Sequence, residues 1–110
     1  MKIQNTKTTP IYSTLGSDPD LGELVELFVD EMPDRIQNLT NLLEQSDWEE
    51  LRRSAHQLKG AAGSYGFDTI SPIAAVVEDK IRANCPEDEL HQAVEDLCEM
   101  CRAARAGAPE

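Results

Sequence analysis

The spacing of apolar residues constrains this chain more than any other feature. Four stretches repeat hydrophobic side chains at intervals of three and four, and none alternates them at intervals of two. Leu21, Leu24, Phe28, Met32, Ile36, Leu39 and Leu43 form the first stretch, and Trp48, Leu51, Ala55, Leu58 and Ala62 the second. Ile70, Ile73, Ala74, Val77 and Ile81 make the third, and Leu90, Val94, Leu97, Cys101 and Ala104 the fourth. At roughly 100° per residue each set lands on one face of a helix, whereas a half-buried strand needs strict alternation. With aromatic residues at 5% and β-branched residues scattered, composition gives strands no support.

Punctuation divides the pattern. Asp18-Pro19 is a helix start, a short acceptor followed by a residue that needs no donor at the first helical position. Pro33 interrupts the first run and either kinks the helix or splits it in two. Ser46 or Asp47 caps the second helix, and Gly66 offers it a left-handed stop. The third ends before Asn84-Cys85-Pro86, and Pro86 opens the fourth. The expected fold is all-α: an antiparallel four-helix bundle over residues 18–105, with a short N-terminal arm or helix over 1–17 and a tail over 106–110. Ile3, Ile11, Tyr12 and Leu15 are the arm's possible anchors, and its latter part is expected to pack down.

At 110 residues the chain supports one core and leaves no room for a separate cofactor domain. Its 10 Lys+Arg against 21 Asp+Glu give a net charge of -11, the wrong sign for phosphate backbones or anionic membranes, so nucleic acid and membrane are not expected partners. No apolar run approaches the roughly 20 residues of a membrane span, and the N-terminal MKIQNTKTTP lacks a signal-peptide core. A cytoplasmic location is the expectation, with the odd set Cys85, Cys98 and Cys101 as thiols. The initial Met suits a free-standing protein.

The second helix carries the chemistry. His56 falls away from its apolar stripe, with Lys59, Gly60 and Gly63 at i+3, i+4 and i+7, Arg52 one turn before and Arg53 on the flank. Glycine inside a helix costs about 1 kcal/mol relative to alanine, so two beside a histidine suggest that something needs close access. From Leu51 to Phe67 there are three basic residues and no acidic one, inverting the charge of the chain. Such cations would keep an imidazole neutral and nucleophilic, then attract the oxygens of a phosphoryl group placed on it, with Lys59 nearest.

The run Ala55-His56-Gln57-Leu58-Lys59-Gly60-Ala61-Ala62-Gly63-Ser64-Tyr65-Gly66-Phe67 resembles the signature of histidine-containing phosphotransfer (HPt) domains of bacterial two-component phosphorelays. Phe28 on the preceding helix and the Ala74 to Glu78 pattern on the following one extend the resemblance over roughly 18–103. It implies a monomeric bundle that takes a phosphoryl group from a receiver-domain aspartate and passes it to another. It further implies His56 as phosphoacceptor, Lys59 as phosphate-stabilising cation and Gly60 as the small residue admitting the receiver; Arg52, Arg53 and Gly63 support them. Mg²⁺ would come with the receiver, the chain holding no cofactor or metal of its own, and a hybrid sensor histidine kinase is a further candidate partner. No phosphate-cradling loop suggests ATP-dependent kinase activity. Some HPt members have a Gln near the phosphoacceptor where this chain has Glu78; no role is assigned to that acid. The alternative is a helical docking module for response regulators that takes no phosphate. His91, Glu95 and Cys98 share a helix face with Cys98-x-x-Cys101, but without a second such pair a metal site is not expected, and Cys101 suits the core.

Overall fold

The computed structural model describes residues 10–107, so the expected anchor Ile3 and the last residues of the tail lie outside the described residues. Five helices follow one another: α1 (Gly22–Asp30), α2 (Met32–Glu44), α3 (Trp48–Ser64), α4 (Ile70–Arg82) and α5 (Glu87–Ala103). The last four close a ring in which α2 and α4 each pack against both α3 and α5. Short connections make neighbours antiparallel, which is the four-helix bundle the periodicity predicts.

The first apolar run is split in two. Pro33 occupies the first turn of α2, where its missing N–H breaks no helical bond, and Glu31 forms the joint with near-helical backbone angles. Freed from α2, α1 turns Val25 and Phe28 into the core and leaves Leu24 at the surface, contrary to its expected place on the apolar face. The Phe28 ring lies 5.2 Å from Tyr65 and 5.5 Å from Phe67, so α1 covers the end of α3. Asp18 Oδ1 accepts from the N–H groups of Asp20 and Leu21, closing a turn; α1 starts just beyond it, later than the Asp18-Pro19 signal implies.

The other three stripes are buried as their spacing requires, with Leu51, Ala55, Leu58 and Ala62 of α3 facing Ile70, Ala74 and Val77 of α4 and Leu90, Val94, Leu97 and Cys101 of α5. Asp47, rather than Ser46, caps α3 by accepting from Glu50 N–H, while Ser46 takes a left-handed turn with φ 54°. Burial pushes the Cys101 thiol up to about 12 and raises Cys98, so both behave as small hydrophobes. All three cysteines are free.

Two short strands escape the sequence reading. β1 (Ile11–Tyr12) pairs in parallel with β2 (Ala104–Arg105), Ile11 opposite Ala104 and Tyr12 opposite Arg105. Ala104, expected to end the last helical stripe, instead turns extended at ψ 135° and stays buried as a strand residue. Two residues per strand are too few to show alternation. Beyond β1 the chain straps over the end of α3: Ser13 Oγ donates to the Tyr65 carbonyl and Thr14 N–H donates to that of Gly66 at 3.0 Å. Gly66 is therefore more than a helix stop. Its φ is +81°, and a Cβ there would lie 2.6 Å from Ser13 Oγ and 2.7 Å from Thr14 Oγ1.

Replacing Gly66 by Ala therefore combines left-handed strain with a collision against the strap, and should cost about 1 to 3 kcal/mol. Urea unfolding of the variant checks this; an unchanged midpoint would show that the strap does not lie across Gly66.

Candidate functional site

α3 and α4 together make the site. His56, Lys59, Gly60 and Gly63 lie along the outer face of α3, opposite the buried stripe Leu51, Ala55, Leu58 and Ala62. α4 runs beside it, held by the Ser71 hydroxyl donating to the Lys59 carbonyl at 3.0 Å.

From α4 comes the residue to which the sequence reading gave no role. Glu78 is 1% exposed, yet its carboxylate reaches the histidine: Oε2 lies 2.9 Å from His56 Nδ1. Lys59 Nζ donates to Oε1 at 2.9 Å, and Arg82 Nη2 lies 3.1 Å from Oε2. The hydrogen bond from Lys59 is the main influence holding the Glu78 carboxyl below its ordinary range, helped by His56 and opposed by burial. An ionised carboxylate can only accept, so Nδ1 carries the ring proton. Nε2 is turned away from that contact, on a side chain 59% exposed. A signal for Glu78 exists in the sequence: it sits on the inward side of α4 among Ala74, Val77 and Ile81, where a charge requires partners.

The arginines do not form the cationic surround predicted for the ring. Arg52 is paired with Glu49 at 2.6 Å, and Arg53 with Glu50 at 3.1 Å, both along their own helix. Counting charge only from Leu51 to Phe67 omits these acids just before the window and Glu78 across the helix interface. The group touching the imidazole is an anion, and Lys59 is the nearest of the predicted cations to share its partner.

Neither glycine answers an internal demand. A Cβ on Gly60 would meet nothing within 4 Å, and one on Gly63 only Ser71 Oγ at an ordinary 3.7 Å. Their cost to the helix thus leaves a bare strip on the face of α3 that carries His56, which no described residue fills. His91 is exposed on α5, and among the described residues no three His, Cys, Asp or Glu side chains come close enough to hold a metal ion. Among those residues, too, no helix is long and apolar enough to cross a membrane.

Replacing Gly60 by Ala should stabilise the fold by about 0.5 to 1 kcal/mol, because the helix gains propensity and nothing is displaced; a loss of stability in urea would refute the open strip. The folded Glu78 carboxyl lies below the ordinary 4.5, so its contribution is full above 4.5 and is lost as pH falls through the lowered folded value. Thermal unfolding between neutral and acid pH should therefore show a steeper decline below 4.5 for the wild type than for Glu78→Gln; parallel curves would contradict the ion cluster.

The family model for the Hpt domain matches residues 23–107. The phosphorelay protein LuxU of Vibrio harveyi is 29% identical over 82 residues, covering 74% of this chain and 71% of that protein. No solved structure matches. The family match spans α1 through β2, including the histidine helix and the carboxylate beside it, and the chain belongs to the Hpt domain family.

Proposed function

We propose that this chain is a phosphorelay intermediate that takes a phosphoryl group on His56 from a receiver aspartate and gives it to another. The observation that carries the reading is the orientation of the ring, with Nδ1 held by a buried carboxylate and Nε2 exposed beside a lysine and two bare glycines. Membership of the Hpt family and the similarity to a phosphorelay protein support it.

In the transfer, Nε2 attacks the phosphorus of the aspartyl phosphate. The Nε2–P bond forms as the P–O bond to the aspartate breaks, and the aspartate leaves as a carboxylate. Positive charge arises on the ring, where the Nδ1 proton stays hydrogen-bonded to Glu78 and its negative charge stabilises the phosphoimidazolium. Lys59 turns from Glu78 to the phosphoryl oxygens, a charge-assisted contact available from the same position on α3. Gly60 and Gly63 let the receiver bring its acyl phosphate against the ring. Delivery to a second receiver reverses these steps. The receiver brings the Mg²⁺ that its acidic site requires, and this chain contributes neither a cofactor nor ATP-dependent kinase activity. It works as a cytoplasmic monomer, a hybrid sensor histidine kinase being one source of the donor receiver.

Incubation with a receiver carrying labelled aspartyl phosphate tests the reading. Label should appear on the wild type with the acid-labile, base-stable character of a phosphoramidate, and His56→Gln should take none while still binding the receiver. Lys59→Met should slow transfer by about tenfold to a hundredfold, the worth of one charge-assisted contact. Binding without label on the wild type would favour the docking-only module.

A further inference from the structure

Glu78 is approached by more positive charge than orienting a histidine requires. Lys59 occupies Oε1, and His56 and Arg82 share Oε2. Arg82 stands one helical turn beyond Glu78 on α4, so its guanidinium lies over the carboxylate without leaving its own helix. Its side chain is 59% exposed and forms no other ion pair among the described residues.

The need for a second cation emerges when the phosphoryl group arrives. A phosphoryl group carries roughly -1.5 to -2 charge at neutral pH and draws Lys59 away from Oε1. With Lys59 gone the buried carboxylate would face the ring alone, and its whole charge would bear on the Nδ1 proton unless another cation shares it. A guanidinium is a permanent cation, and Arg82 stands on α4 beside Glu78 rather than on α3 with Lys59. We propose that Arg82 is a positioning residue, holding Glu78 on Nδ1 while Lys59 serves the phosphoryl group; this rests on the phosphotransfer reading above. The other charges facing Glu78 cannot substitute. Arg52 of α3 acts on it only at longer range and is tied to Glu49, and the ion pair between α4 and α5 joins Lys80 to Glu89. A neutral amide at position 78 would need no counter-ion. Arg82 should therefore matter only while residue 78 is an acid.

That coupling is the test. The full chain is prepared as wild type, Arg82→Gln, Arg82→Lys, Glu78→Gln and the double variant Glu78→Gln/Arg82→Gln. The His56 ring is titrated by NMR before phosphorylation, and loss of phosphate is followed against pH after loading with phosphoramidate, a small donor that needs no receiver. Without Arg82 the less compensated carboxylate holds the Nδ1 proton more tightly. Arg82→Gln should thus raise the ring midpoint by about 0.3 to 1 unit and move the acid limb of phosphate loss upward at least as far. In the Glu78→Gln background the same change should produce less than half that shift, and Arg82→Lys should stay near wild type. Equal shifts in both backgrounds, or none, would overturn the proposal. So would slower transfer from a receiver with an unchanged ring titration, which would make Arg82 a receiver contact. Phosphate on no variant from either donor would instead sink the phosphotransfer reading, whereas a labelled wild type without coupling sinks the role of Arg82 alone.

Discussion

A carboxylate almost sealed from water, Glu78, sits where α3 meets α4, and the site depends on how its charge is met. A buried anion without partners would be strongly unfavourable, so α3 must pack in the rotation that brings His56 and Lys59 to Glu78, while Arg82 reaches it along α4 itself. The same contact selects the ring tautomer. Structural and chemical requirements thus fall on one atom pair, Oε2 and Nδ1, and neither can be relaxed without affecting the other.

The exposed side of the histidine is governed by what is missing. Bulky apolar side chains fix the inner face of α3, while its outer face gives up helix propensity at Gly60 and Gly63 without a close packing return among the described residues. A protein acting alone gains nothing from that surface. The loss makes physical sense if the missing volume is completed by a second molecule.

Much of this was legible in the spacing of residues. The stripes of α3, α4 and α5 appear in the core nearly position for position, because uninterrupted amphipathic helices leave little freedom of phase. Where a break intervenes, the phase is lost: Pro33 uncouples α1 from α2, and Val25 replaces Leu24 inside. His56, Lys59 and the glycines share one face through helix geometry alone. The contacts of Glu78 with His56 and Lys59 arise through packing between helices, which periodicity along one helix does not encode, and the acids flanking α3 neutralise arginines that a window count leaves unpaired.

The parallel pairing of β1 with β2 has a mechanical meaning. Among the described residues β1 is the first element and β2 the last, and these strands point the same way. Tension drawn between the two ends of the fold therefore pulls the strands past each other along their length. Both rungs bear the load together instead of opening in turn, and the strap across Gly66 lies directly behind them. Force transmitted through the ends is met at this small shear clamp before it reaches the helix that carries His56.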